Sequence, residues 1–556
     1  MLRRLRTAAG HVAKNALPAI AAAAVLLIVM AAARTTPQQR TAAALPVSHQ
    51  PATLELNGLL ADRWADDGLP APEAADDLTV LRRLSLALHG TVPSLEEIRE
   101  FEADDAPNRL RRWTRRMIED PRYGRYFAER LARPLVGVEP APFVVFRRDR
   151  LTAWMAERIG QDQPWDQTVR HLIADEGIWT DTPAVNFITK QVANDDLDVD
   201  ALTARTVRAF LGQRIDCAQC HDHPFDKWKQ GEFEGLAAFY GQTGLSIGGV
   251  TDNPEAVYTV QDRETLEDRV VDPSVPFGED WLTDRDRRRL ALADWITAEQ
   301  NARFDRAIAN RVWTLMMGRP FVSTRPVDDL PDPADPVDRL FDEPDEWAGL
   351  DFLADDFRAS GRRISRLVEV IAASDAFRAS SRSELYGSDL AAAEESWAVR
   401  PLARLRPEQV IGSMIQASSV RTVDPDSHLF VRILRLVREN DFVKDFGDPG
   451  ESELDVRPGT LPQALLRMNG KLVKELSDAS PMTASGRLQI VQRDSDKLVE
   501  TAFLSCLTRR PTDAERTFFV GEFENRVDDP ANRSREQIVE DLYWTLFNSP
   551  EFSWVR

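Results

Sequence analysis

Pro93-Ser94-Leu95-Glu96-Glu97 decides how this chain folds. Ser94 stands where a helix N-cap stands, and Glu97 comes three residues later, which is the spacing of a capping box. Before it comes an apolar helical stretch through Leu84 and then His89-Gly90-Thr91-Val92. After it come Phe101, a helix through Leu110, Trp113 and Met117, and the stop Asp120-Pro121-Arg122-Tyr123. The same order returns near the other end of the chain. There Arg509-Arg510-Pro511-Thr512 precedes Glu515 and Phe523, and Ser549-Pro550-Glu551-Phe552 makes the stop. A partial third copy ends in Ser374-Asp375-Ala376-Phe377. Each copy reads as a helical hairpin, opened by a cap and closed by an aromatic anchor. Convergent capping chemistry is the other reading of the same echo. Either way the pattern predicts a mainly α, multi-helical body.

Working outward, apolar residues at helical spacing predict helices over about 124–133, 147–160, 165–175, 198–214, 284–315, 349–381, 398–418, 428–440, 460–478 and 492–522. Between 246 and 276 the character changes. Gly248-Gly249 and Val257-Tyr258-Thr259-Val260 read as a short β-hairpin or extended connector. This divides the chain into two domains, 51–245 and 284–556, joined by a connector at 246–283. Pro326 to Trp347 is proline-rich and acidic, too irregular for a calcium loop, and reads as a solvated loop.

The helix predicted at 198–214 delivers Cys217-Ala218-Gln219-Cys220-His221-Asp222-His223-Pro224-Phe225-Asp226-Lys227-Trp228. C-x-x-C-H is the spacing of a c-type haem attachment site. Two thiols reach the two vinyl groups of one porphyrin, and the next residue turns its imidazole onto the iron. Cys217 and Cys220 are then the thioether donors and His221 the proximal ligand. Other readings stay open. Zinc could take Cys217, Cys220, His221 and His223, although four ligands within seven residues is tight. A disulfide needs no cofactor. Thioredoxin-like chemistry wants a βαβ pattern, which does not surround this motif. His223 and Asp226 either order the loop or serve a second metal or a propionate. Candidates for the sixth iron ligand are His89, His171, His428, Met155, Met316, Met317 and Met468. Phe225, Trp228, Phe233, Phe239 and Tyr240 supply aromatic area, either to wall a site shared with the second domain or to pack the core. Asn310 and Arg311 with Asp328 and Asp329 read as a polar pocket or as an ion pair joining helices. Cys506, in an apolar helix, reads as buried and inert.

The N-terminus gives an address. Arg3, Arg4, Arg6 and Lys14 in the basic tail 1–15 precede an apolar run over 16–33, and 34–50 reads as a linker. A basic flank before an apolar core is a secretory signal or signal anchor that sends the rest of the chain outside the cytoplasmic membrane. Ala31-Ala32-Ala33 also suits cleavage; uncleaved, the run anchors a periplasmic body. Haem c is attached outside that membrane, so the address suits the motif. Three cysteines among 556 residues cannot staple the fold, and a formal net charge of -20 disfavours nucleic acid as a partner. No G-x-S-x-G elbow, P-loop or Rossmann fingerprint is present.

Taken in order, these stretches resemble a known family. Arg82-Arg83-Leu84-Ser85-Leu86, Pro121-Arg122-Tyr123-Gly124, Pro164-Trp165-Asp166 and the Cys motif lie in the first half. Ala293-Asp294-Trp295, Asn310-Arg311-Val312-Trp313, Leu353-Ala354-Asp355-Asp356-Phe357, Thr460-Leu461-Pro462-Gln463 and Asn548-Ser549-Pro550 lie in the second. The chain resembles the planctomycete-type cytochrome-associated proteins, in which a PSCyt domain with CxxCHDHPFD precedes a PSD domain. Met317-Gly318-Arg319-Pro320 departs from the family's FGRG-like step, and the acidic Pro333–Asp345 loop from its Ser-His-Pro step. The resemblance implies an exported bacterial protein with haem c, and no particular reaction. Two functions fit: an electron-transfer or redox-enzyme component, or a hydrolytic or binding protein of extracellular polymers whose Cys loop holds zinc or is structural.

Overall fold

Helix ends written in the sequence form as caps. Ser94 Oγ accepts from the Glu97 amide (3.1 Å) while the Glu97 carboxylate accepts from the Ser94 amide (2.8 Å), opening the helix Leu95–Ala103. Thr512 and Glu515 do the same for Asp513–Glu524. A capping side chain of this kind contributes about 1 kcal/mol. Asp120, Ser374 and Ser549 each accept from a backbone amide two or three residues on. The aromatic anchors then turn inward: Phe101, Tyr123, Phe377, Phe523 and Phe552 are all buried. The first and last hairpins also grip each other. Arg82 donates to the carbonyls of Cys506 (3.0 Å) and Phe552 (3.3 Å), and Arg510 to Glu102 (2.6 Å).

The computed structural model describes residues 50–138, 144–193, 196–223, 227–261, 266–284, 286–333, 346–419, 421–423, 442–448, 450, 454, 459–481, 483–525 and 533–555. The apolar run 16–33, Phe225, Asp226, His428 and the expected helix at 428–440 lie outside these residues. Among the described residues no helix is long and apolar enough to cross a membrane. The described residues are mainly helical, with four two-stranded antiparallel ribbons among them. Two of them, Thr243–Ser246 with Gly249–Asp252 and Tyr258–Gln261 with Asp268–Val271, fall in the expected connector, except that the first strand begins three residues before it. A third joins Ala403–Arg404 to Trp554–Val555.

Several expected helices are shorter or broken. The stretch 284–315 is two helices, Arg288–Ile296 and Ala302–Met317. The buried Asn301 side-chain amide donates to the Trp295 and Ile296 carbonyls (3.2 and 3.1 Å), meeting the orphan acceptors that end the first. The helix expected at 398–418 begins only at Pro407, and the residues before it include the Ala403–Arg404 strand. Helices Gly387–Glu395 and Ala484–Val491 had no clear apolar period to announce them.

Residues Ser48–Arg556 make one compact unit. Its larger apolar core draws on both halves of the chain, including Phe210, Trp313 and Phe357. A second core gathers the C-terminal helices with Leu86 and Val92 from the first hairpin. The connector therefore does not divide the packing.

Candidate functional site

The Cys loop begins where the helix Val199–Leu211 stops. Asp198 caps its start, accepting from the Ala201 amide (2.9 Å), and Leu202, Val207, Phe210 and Leu211 bury its apolar side. Gly212 ends it in the left-handed region (φ +64°). An added Cβ there would lie 3.2 Å from the Ala307 Cβ, so both the turn and the packing ask for glycine. Asp216–Gln219 then form one 3₁₀ turn. Side chains three apart share a face of such a turn. Ile215 and Ala218 face the core, each fully buried, which leaves Cys217 and Cys220 exposed.

His221 is exposed, and its Nδ1 lies 2.7 Å from the Asp222 carbonyl. A carbonyl only accepts, so Nδ1 carries a proton, and in the neutral ring Nε2 is then the nitrogen with the free lone pair. Asp222 in turn accepts from the Gln230 amide and from Lys229 (both 3.1 Å), which hold its carboxyl below the usual range. His223 is half-buried and donates its amide to the Trp228 carbonyl (2.8 Å). Trp228 is buried in the core, so this bond closes the loop on its tryptophan.

Both ends of the loop are clamped from the second half of the chain. The Leu330 amide donates to the Gly212 carbonyl (2.7 Å), and Arg311 Nη1 to the Ala209 carbonyl (2.9 Å), satisfying acceptors at the negative end of the helix. Asp328 pairs with Arg208 and with Arg214 (2.8 Å). Burial works to raise the Asp328 carboxyl, but these two guanidinium groups hold it below its ordinary value. Burial lowers the Arg311 guanidinium to about 10, with the Asp328 charge opposing. At the far end, Asp332 binds both Lys227 and Arg303. Asn310 braces this clamp: its side-chain amide donates to the Val327 carbonyl (3.2 Å) and accepts from the Phe321 amide (2.9 Å). Asn310, Arg311 and Asp328 thus join helices. Asp329 is half-buried, with its amide directed at the Pro326 carbonyl (3.4 Å). The near part of the acidic stretch is buried rather than solvated, and Asp332 is a site-bracing residue that charge counting overlooked.

Two family profiles match the chain. PSCyt2, protein of unknown function (DUF1549), matches residues 55–244, and PSD1, protein of unknown function (DUF1553), matches residues 288–521. The chain belongs to the PSCyt2–PSD1 proteins. No curated protein and no solved structure matches it. In this PSCyt2–PSD1 chain the Cys loop comes from the first matched region and its clamp, Arg311, Asp328 and Asp332, from the second.

Elsewhere in the PSCyt2–PSD1 chain, Phe233, Phe239 and Tyr240 pack the core, as Trp228 does, and do not wall an external site. Beside the loop lies a charged groove of about 260 Å³, lined by residues including Asp200, Arg205, Arg208 and Asp216. His171 is exposed and paired with Asp175 (3.1 Å). Met155 is buried in the core, and the Met317 sulfur accepts from Arg400 (2.7 Å) beside the buried Met316. Met468 is exposed, with its carbonyl accepting from Trp544 (3.1 Å). Cys506 is fully buried, and burial pushes its thiol up.

His89 lies with Glu97 and Asp120, their ligand atoms within 4.8 Å of one another. A cation already serves this cluster: Arg122 pairs with both carboxylates. Burial, then the Arg122 charge, lowers His89 from 6.5 to about 4. Between those values the unfolded chain holds a proton that the folded chain does not. Stability from this group is therefore lost as pH falls from 6.5 to about 4, by about 3 kcal/mol. Urea unfolding across that interval is expected to show the slope, and His89→Asn to flatten it. An unchanged slope in the variant would contradict the assignment.

Proposed function

We propose that Cys217, Cys220 and His221 attach a haem c, and that the protein is an exported redox component with its haem at the surface. The observation that carries this is His221: its Nδ1 is committed to the Asp222 carbonyl at 2.7 Å, which leaves Nε2 as the ligand atom next to two exposed thiols. The donor set fits the group. A preformed zinc site has less support, because no three ligand atoms among Cys217, Cys220, His221 and His223 gather within 4.8 Å. The surrounding surface is charged and the aromatics face inward, so the reading is of a surface haem rather than one sunk in a pocket.

Once attached, the haem supplies one-electron chemistry. The chain's part is to hold the donors. Ile215 and Ala218 fix the turn from below, Asp222 sets the imidazole tautomer, and the Asp328 and Asp332 clamps fix both ends of the loop. Attachment also requires export, for which the 16–33 run is the proposed signal or anchor. Two variants test the reading by their covalent haem content in a host with a haem-attachment system. Cys217→Ala with Cys220→Ala, and deletion of residues 1–33, are each expected to abolish it. Covalent haem in either variant would overturn the proposal.

A further inference from the structure

The third ribbon places Arg404 directly opposite Trp554. Residues so paired project from the same face of a ribbon. Both line a cavity of about 740 Å³, together with Arg319, Leu405, Phe446 and Gln463. Trp554 is about one-third exposed (37%), a flat apolar surface open to a ligand. Many arginines of this acidic chain are matched to carboxylates, but here the match fails. Among the described residues neither Arg404 nor Arg467 has an ion-pair partner. Arg467, one helical turn beyond Gln463, has Nε and Nη1 buried without hydrogen bonds. Burial and the Arg404 charge both lower it.

The acidic groups at the cavity do not neutralise this pair. Asp448 is already held by Arg133. The Glu394 charge acts on Arg319, which also donates to the Glu394 backbone carbonyl. Arg406 is engaged by Glu408 (3.0 Å) and Tyr126. Behind the wall, Arg400 is buried with its Nε unpaired, next to the charges of Arg83 and Arg319. Backbone geometry makes room for the guanidinium: a Cβ on Gly459 would overlap Arg404 Nη1. The Arg404 guanidinium at the cavity, without an ion-pair partner among the described residues, presents forked donors suited to a planar or tetrahedral oxyanion, with the buried Arg467 charge behind it.

We propose that this cavity binds a ring-bearing organic oxyanion, an acidic sugar unit, with its anionic group on Arg404 and its ring against Trp554, the Arg467 charge adding to the local positive field. The site is separate from the Cys loop and does not depend on the haem reading. Titration calorimetry of the full chain with glucuronate, glucose 6-sulfate and glucose 6-phosphate tests it, with glucose as the uncharged control. Binding of at least one anion is expected, and which one binds identifies a carboxylate, sulfate or phosphate source. Arg404→Ala is expected to weaken that binding roughly 10-fold or more, since one charge-assisted hydrogen-bond pair is lost. Trp554→Ala is expected to weaken it severalfold. Gly459→Ala, which alters no charge and removes neither side chain, is expected to weaken binding in the same direction as Arg404→Ala by displacing the guanidinium. Heat detected with none of the three anions, equal affinity for glucose, or full affinity in folded Arg404→Ala would overturn the proposal.

Discussion

Asp328→Ala is expected to destabilise the protein by about 2–4 kcal/mol, because the buried Arg311 loses the Asp328 charge while the partly exposed Arg208 and Arg214 lose their partner under partial screening by water. Asp328 is buried and takes both Arg208 and Arg214, with Arg311 close enough to feel its charge. Removing the carboxylate leaves three guanidinium groups at the end of one helix without the carboxylate they share. Asp328→Asn is expected to lose much of the same stability, since the shape is kept and the charge is not. Asp329→Ala, at a half-buried neighbour, is expected to change stability by less than about 0.5 kcal/mol. Urea unfolding gives the magnitudes. Hydrogen exchange gives the location: protection is expected to fall first at residues 212–223, whose clamp has been opened. Equal effects at 328 and 329 would contradict this account of the clamp.

Arg122→Ala is the second large expected loss, about 3–5 kcal/mol. Arg122 is 8% exposed and holds Glu97, 9% exposed, together with Asp120. Burial opposes ionisation of both acids, and Arg122 holds each below its ordinary value. Without it the capping glutamate of the first hairpin is a buried, unmatched charge. The last hairpin contains the counterpart. Arg509 binds the capping Glu515 (2.8 Å) and Glu551 (2.7 Å), at 18–32% exposure. Water screens that cluster better, so Arg509→Ala is expected to cost roughly 1–2 kcal/mol. Thermal or urea unfolding of the two variants side by side checks the order; the reverse order would mean that burial does not set the cost.

Legibility followed the range of the interaction. Ser94 with Glu97 and Thr512 with Glu515 are local codes, three residues apart, and both formed as caps. The Cys loop could be found by its spacing, but not the 3₁₀ turn that exposes its thiols. That turn depends on Ile215 and Ala218 finding a core built from distant helices. Asp332 was hidden in an acidic stretch, because composition does not distinguish a solvated carboxylate from one held by Lys227 and Arg303. The break at Asn301 was hidden for a related reason: its amide ends a helix through backbone carbonyls that carry no sequence signal. Arg404 and Trp554 lie 150 positions apart in the sequence, in strands of two residues each, too short for any period to reveal.

Covalent haem on the Cys217–His221 loop is decided by the intact mass of protein matured in a host with a haem-attachment system, with pyridine haemochrome absorbance on the same sample. The expected mass is the polypeptide plus one haem, with the haem surviving denaturing electrophoresis. The bare polypeptide mass, with stoichiometric zinc by metal analysis, would contradict it.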